Sequence, residues 1–222
     1  MNKKEEVLSL IKEQGLLPLF YNDSPEKSAD LLRALYKGGV RLLEYTNRGQ
    51  YALRNFTVLR KLVDAEMKDL QLGVGTIKGA HHAQAFIDAG ADFVVCPLVN
   101  PAVADVVHKN NLLWIPGCFT NTEIYTAEVA GASLLKIFPG NLGGPSYIKA
   151  VKEIFYELDF MPTGGVEPEK ENIQGWYNAG VYAVGMGSKL VSKAIMDEER
   201  YDELTALSKQ VLAYIKEIKQ HK

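Results

Sequence analysis

The sequence predicts an α/β fold, a (β/α)8 TIM barrel with an extra helix at its N-terminal end. Three observations carry the prediction. Eight short runs rich in Leu, Val, Ile and Phe recur with starts 19 to 31 residues apart. Most of the gaps hold a helix-compatible stretch, and four of those stretches end in a shared glycine signature. Alternating strands and helices imply parallel pairing through right-handed crossovers, and eight such units are the number that closes a barrel.

The first element runs from Asn2 to Glu13. Val7, Leu8, Leu10 and Ile11 fall on one side of a short helix there, and Gln14-Gly15 stops it. Strands are expected at Leu16 to Tyr21, Val40 to Thr46, Gln71 to Ile77, Phe93 to Leu98, Leu112 to Cys118, Leu134 to Pro139, Asp159 to Gly164 and Tyr182 to Gly187. Helical stretches between them include Ala29 to Gly39, Ala80 to Gly90, Thr122 to Gly131 and Asn172 to Gly180. The glycine signature reads Lys37-Gly38-Gly39-Val40, Asp88-Ala89-Gly90-Ala91, Val129-Ala130-Gly131-Ala132 and Asn178-Ala179-Gly180-Val181. A glycine at such a place serves as a left-handed helix stop before the next strand. The rival fold, an open doubly wound sheet, would carry Gly-x-Gly-x-x-Gly after an early strand. Here the first strand runs into Asn22-Asp23-Ser24-Pro25. No linker or composition break divides the chain, so its 222 residues read as a single domain: N-terminal helix 1–14, barrel 15–190 and C-terminal helix 191–222.

Composition narrows the function classes. With 47% hydrophobic and 23% charged residues, the chain has the make-up of a soluble globular protein. Twenty-five Lys and Arg against 27 Asp and Glu give a net charge of −2, without the basic excess that nucleic-acid binding needs. No apolar stretch approaches the ~18 residues of a membrane helix, and Met1 to Glu6 leads into a mixed helix without a secretory core, so a cytoplasmic location is expected. Cys96 and Cys118 lack Cys-x-x-Cys spacing, and His81-His82 lack the spacing of a helical metal pair. Both cysteines read as reduced, buried thiols, and no metal or cofactor is called for.

In such barrels chemistry gathers where strands end. Lys136 is a lone amine inside Leu134-Leu135-Lys136-Ile137-Phe138-Pro139. Burying an ammonium among aliphatic side chains is costly, so a lysine in that setting is either paired or driven toward the neutral amine, a nucleophile suited to imine chemistry. The bland reading is a lysine that points outward between helices, and strand parity alone does not choose the face. Glu44 poses the same question: a structural ion partner, or a general acid/base. An inward pair would form the minimum set for carbonyl chemistry, one group making an imine and the other moving protons. Glu44, Thr46 and Arg48 share a parity. Arg48 and Thr76 are candidate carboxylate ligands, one through its planar fork and the other through its hydroxyl. Gly164-Gly165 and Gly187-Ser188 follow the seventh and eighth strands, the loops where barrels commonly hold a phosphate, and a short helix starting at Ser188 would add its positive end.

Seven fragments in order, each at a predicted strand end, resemble one family. They are Leu43-Glu44-Tyr45-Thr46-Asn47-Arg48, Gly73-Val74-Gly75-Thr76, Cys96-Pro97, Ile115-Pro116-Gly117, Leu135-Lys136-Ile137-Phe138-Pro139, Pro162-Thr163-Gly164-Gly165 and Gly185-Met186-Gly187-Ser188. Together they resemble the 2-keto-3-deoxy-6-phosphogluconate / 4-hydroxy-2-oxoglutarate aldolase family from about Gly15 to Leu190. The resemblance implies a class I, metal-independent aldolase, usually a homotrimer, that cleaves a phosphorylated keto-deoxy sugar acid to pyruvate and glyceraldehyde 3-phosphate. By position it makes Lys136 the Schiff-base lysine, Glu44 the proton-transferring group, and Arg48 and Thr76 the ligands of the pyruvate carboxylate. Pro97 and Phe138 would line the pyruvyl pocket, Thr163 would sit near the substrate hydroxyls, and Gly164, Gly165, Gly187 and Ser188 would grip the phosphate.

The chain also departs from the family pattern. Tyr45 and Asn47 stand where many members carry small or aliphatic residues, and Cys118-Phe119-Thr120 replaces a common Ile-Ser-Thr. Gly140 to Ala150 resembles the 6-phosphogalactonate aldolases as much as the phosphogluconate ones. That leaves the galactonate series, and unphosphorylated 4-hydroxy-2-oxoglutarate, as alternative substrates. A phosphate-binding isomerase or epimerase and a non-catalytic phosphosugar-binding protein are the competing classes, and Lys136 is the residue that separates them.

Overall fold

The computed structural model describes residues 2–220. Helix α1 (Lys3–Gln14) is capped by the Asn2 side chain, which accepts the Glu5 N–H, and ends on Gly15 in the left-handed region. Then the alternation begins: β1 (Leu16–Phe20), α2 (Pro25–Lys37), β2 (Leu42–Thr46), α3 (Ala52–Glu66), β3 (Gln71–Gly75), α4 (Ala80–Asp88), β4 (Phe93–Val95) and α5 (Pro101–Lys109). It continues through β5 (Leu113–Ile115), β6 (Gly117–Cys118), α6 (Asn121–Val129), β7 (Leu134–Ile137), α7 (Gly140–Ile154), β8 (Asp159–Pro162), α8 (Lys170–Asn178) and β9 (Val184–Met186), and closes with α9 (Lys193–Asp197) and α10 (Tyr201–Gln220). The four signature glycines behave as expected, with φ of 97° at Gly39, 92° at Gly90, 85° at Gly131 and 89° at Gly180.

Several boundaries move for identifiable reasons. The strand expected to reach Ile77 stops at Gly75 because Thr76 turns to φ 61°. The strand expected from Leu112 to Cys118 is cut at Pro116 into β5 and β6. Proline has no N–H for the ladder, and the strand changes partner there, β5 pairing with β4 and β6 with β7. The expected C-terminal helix over 191–222 is two helices, separated by a turn in which Glu199 takes φ 55°. Residues 1, 221 and 222 of the expected terminal helices lie outside the described residues.

Hydrogen bonding gives a curled six-stranded parallel sheet in the order β5-β4-β3-β2-β1-β9, and a three-stranded parallel sheet β6-β7-β8. A single parallel bridge, Thr163 to Gly185, joins the second sheet to β9. The hydrogen bonding thus forms two parallel sheets, not the fully closed eightfold ladder of the sequence expectation. Nearly every strand residue is buried, as in parallel sheets covered on both faces.

Two apolar clusters divide the faces. One contains Leu17, Leu42, Phe93, Val95, Leu113, Ile115, Leu134, Met161 and Ala183, with Val7 and Ile11 of α1 packed into it. The other gathers Leu43, Tyr45, Val74, Val94 and Leu135 with helix residues such as Leu31, Phe56 and Phe86. Since side chains alternate with period two, the face of Leu42 is also that of Glu44 and Thr46, and the face of Leu134 is that of Lys136. Helix α1 closes one end of this inner face by packing against β1, β2 and β5.

Candidate active site

The parity question left by the sequence is settled by these clusters. Lys136 and Glu44 both point to the inner face, where they are 4% and 1% exposed. Lys136 Nζ lies 3.7 Å from Glu44 Oε1, close enough for strong electrostatic coupling and too far for a hydrogen bond. Among the described residues neither Glu44 oxygen has a hydrogen-bond partner. Gly75 explains how the carboxylate fits: a Cβ there would stand 1.7 Å from Glu44 Oε1, so the absent side chain on β3 is the space that Glu44 on β2 occupies. The Lys136 ammonium also lies 5.4 Å from the centroid of the half-buried Phe138 ring.

Thr163 follows β8 on the same face and is 6% exposed, with its Oγ1 buried and without a partner. It stands where a Cβ of Gly185 would be, 2.2 Å from the hydroxyl oxygen. Three oxygens of Glu44 and Thr163 are therefore desolvated and unsatisfied. Arg60, Gln71 and Ser133 also carry a buried side-chain atom without a partner, so what sets Glu44 apart is that both carboxylate oxygens are open and lie beside the Lys136 amine.

The loops supply the remaining expected groups. Arg48 is exposed beyond the end of β2, and Thr76, half-buried, follows β3. Their loops are joined by the Asn47 N–H, which donates to the Gly75 carbonyl at 2.8 Å. Thr76 is one of three non-glycine residues with positive φ among the described residues, a conformation that costs of order 1–3 kcal/mol. Thr46, by contrast, is used structurally, its hydroxyl donating to the Phe20 carbonyl at 3.3 Å. Pro97 is half-buried after β4. Its neighbour Cys96 accepts the Trp114 indole N–H at 3.3 Å, and burial pushes the Cys96 thiol up to about 12.

Gly164 and Gly165 have φ of 94° and 74°, a backbone region that side chains avoid. The Asn141 side chain lies against them, with Oδ1 3.1 Å from a would-be Gly164 Cβ. Gly187 and Ser188 open a single turn in which the Leu190 and Val191 N–H groups donate to the Gly187 carbonyl. The helix expected to start at Ser188 is absent: the chain leaves that turn for Ser192, which caps the five-residue α9.

The structure thus brings Lys136, Glu44 and Phe138 together by measured distance and sets Thr163 on their face. Arg48, Thr76, Pro97, Gly164, Gly165, Gly187 and Ser188 stand on loops at the same ends of the strands. Sequence reasoning missed Tyr21, which follows β1 and whose hydroxyl lies 2.0 Å from a would-be Gly49 Cβ, and Asn141 at the start of α7, whose side chain lies against Gly164 and Gly165; both depend on contacts distant in sequence. No group of three or more His, Cys, Asp or Glu able to hold a metal occurs among the described residues. Chemistry rather than cavity size marks the site, since a cleft of about 450 Å³ lined by Leu10, Gln14, Arg41 and Leu212 lies at the α1 end.

Comparison with known proteins gives a consistent set. The family model described as KDPG and KHG aldolase matches residues 7–207. A 2-dehydro-3-deoxy-phosphogluconate aldolase of Treponema pallidum is 31% identical over 94% of this chain and 97% of its own. A 2-dehydro-3-deoxy-6-phosphogalactonate aldolase of Escherichia coli is 36% identical over 58% of this chain and 62% of its own. Among solved structures, KDPG aldolase from Legionella pneumophila, with pyruvate captured as a covalent carbinolamine, superposes with a TM-score of 0.83 at 25% identity, covering 92% of this chain and 97% of that one.

Proposed function

The chain belongs to the KDPG and KHG aldolase family, and from that premise we propose that Lys136 is its imine-forming lysine and Glu44 its proton-transfer group. The protein is an aldolase, a carbon–carbon lyase of class I. Its substrate on this reading is 2-dehydro-3-deoxy-6-phosphogluconate, cleaved to pyruvate and glyceraldehyde 3-phosphate.

The observation that carries the roles is the buried pair itself, Lys136 Nζ 3.7 Å from an otherwise unpartnered Glu44 carboxylate. The amine adds to the C2 ketone to give a carbinolamine, and loss of water leaves an iminium that serves as an electron sink. Glu44, directly or through a water, takes the proton of the C4 hydroxyl as the C3–C4 bond breaks. The bond's electron pair passes into the pyruvyl fragment as an enamine, and the C4 oxygen becomes the aldehyde. Proton return to C3 and hydrolysis release pyruvate and the free amine. Arg48 and Thr76 hold the carboxylate, Pro97 and Phe138 flank the pyruvyl carbons, Thr163 takes a substrate hydroxyl, and Gly164, Gly165, Gly187 and Ser188 take the phosphate.

The two sheets are read as one (β/α)8 barrel in a single domain. Two observations support this: β5 and β6 are halves of one strand bent at Pro116, whose carbonyl accepts the Lys136 N–H at 2.8 Å, and the Thr163 to Gly185 bridge links β8 to β9. A cytoplasmic homotrimer without a metal completes the proposal; among the described residues no helix is long and apolar enough to cross a membrane. The second reading is the 6-phosphogalactonate series, supported by the 36% identity, over 58% of this chain, to the Escherichia coli enzyme of that name. Borohydride reduction with pyruvate tests the mechanism. The expected result is a mass gain equal to reduced pyruvate on Lys136; an active enzyme without that adduct, under conditions that trap a known class I aldolase, sinks it. Turnover of the gluconate and galactonate phosphates on one sample decides the series.

A further inference from the structure

We propose that Tyr21 is a positioning residue for Arg48, its hydroxyl fixing the turn that aims the guanidinium at the substrate carboxylate. The proposal rests on Arg48 being a carboxylate ligand. Arg48 is exposed, and its guanidinium has no ion pair or hydrogen bond among the described residues, so what the structure fixes is the position of its backbone in the turn, from which the side chain must reach the substrate.

That turn is built tightly. The Arg48 N–H donates to the Thr46 carbonyl at 2.9 Å, and Asn47 is tied to Gly75. Gly49 comes next, and a Cβ there would lie 2.0 Å from Tyr21 Oη, so the phenol oxygen seats directly against the turn. Tyr21 in turn donates to Asp23 Oδ1 at 2.5 Å, a short bond of the charge-assisted kind. Its ring packs on Tyr45, with centroids 5.7 Å apart.

The anchor continues into the core. Asn55 Nδ2 donates to the Asp23 carbonyl at 2.9 Å and to the Asn22 carbonyl at 3.1 Å. The Asn22 carbonyl also accepts from Tyr45 Oη at 3.0 Å and from Ser28 Oγ at 3.2 Å. Ser28, Tyr45 and Asn55 are each 0% exposed. Tyr45 and Asn55 hold the loop as fully buried donors, and losing their bonds strands desolvated polar groups, whereas the Ser28 hydroxyl shares its one proton with the Ser24 carbonyl at 2.8 Å. Tyr45, one of the departures from the family pattern, thereby acquires a purpose: it ties the first strand's loop to the strand that bears Glu44.

The test uses the intact protein and reads the pyruvate concentration that gives half-maximal borohydride trapping on Lys136. Tyr21→Phe, which keeps the ring and removes the hydroxyl, is expected to raise that concentration about five- to tenfold while leaving the trapping rate at saturation nearly unchanged. Arg48→Met is expected to raise it at least as much. In the double variant Tyr21→Phe adds nothing further, as coupled residues require. An unchanged half-saturation in Tyr21→Phe overturns the proposal, and so does an equal added rise on the Arg48→Met background. No effect of Arg48→Met alone removes the carboxylate reading on which the proposal stands, an outcome distinct from failure of Tyr21. Should Tyr21→Phe fail to fold, Asp23→Asn weakens the same anchor and is expected to shift half-saturation in the same direction by less; no shift there also overturns the idea.

Discussion

Two buried carboxylates on the same set of strands have opposite surroundings. Asp92 stands just before β4, at the end closed by α1. Its Oδ2 accepts from Arg60 at 2.8 Å and from the Leu72 N–H at 2.7 Å, and Lys3 reaches its Oδ1 at 2.7 Å. Glu44 is more deeply buried, accepts no hydrogen bond among the described residues, and faces the Lys136 amine at 3.7 Å. The first is a carboxylate whose partners offset its desolvation, and it ties strand starts to helices. The second leaves its lone pairs open, and an open carboxylate beside an amine is free to exchange protons with a third party. Burial is common to both carboxylates; what separates them is whether the chain satisfies their hydrogen bonds, and that difference is what the proposed role of Glu44 rests on.

This contrast is best broken at Lys136. Lys136→Ala should abolish both cleavage and the borohydride adduct while leaving the circular dichroism spectrum intact; residual adduct formation would place the imine elsewhere. Next in size, Glu44→Gln should lower kcat by about 10²–10⁴ yet still form adduct with pyruvate. Its urea-unfolding midpoint should fall less than that of any Asp92 variant, because Glu44 has no hydrogen bonds to lose. Equal steady-state rates in wild type and Glu44→Gln would end the distinction drawn here. Asp92→Ala is the converse case: removing one side of a paired, buried group should cost roughly 3 kcal/mol, read from urea unfolding, with kcat per folded molecule unchanged.

The smallest effect concerns the thiols. Burial pushes both Cys96 and Cys118 up to about 12 from an ordinary 9.0. Because the folded values are raised, their contribution to stability is intact below pH 9.0 and is lost as pH rises toward about 12. A disulfide-exchange reagent at pH 8 should therefore label neither cysteine until the protein unfolds, and rapid labelling of native protein would show that the region beside Lys136 opens more readily than its packing implies.

Much of this was legible in the chain itself. The strand and helix alternation, the left-handed stops at Gly39, Gly90, Gly131 and Gly180, and the clustering of polar groups at strand ends all follow from local chemistry. Three features did not. The break at Pro116 depended on β5 and β6 pairing with different neighbours, a long-range choice. The helix expected at Ser188 gave way to one turn because its carbonyl-to-amide bonds close on Gly187 and the next available cap is Ser192. The role of Tyr21 was hidden because its meaning lies in the empty Cβ position of Gly49, 28 residues away.

By itself, the sequence determined which residues were candidates. Period-two and helical patterning, glycine placement and a lone lysine in an apolar run are properties of neighbouring residues, and they hold before the chain folds. Only the tertiary structure decided which face of each strand looks inward. Parity fixes that Leu134 and Lys136 share a side, but the choice of side depends on α1 and the facing strands burying Leu42, Leu113, Leu134 and Met161 together, and that collective burial is what carries Lys136 to within 3.7 Å of Glu44.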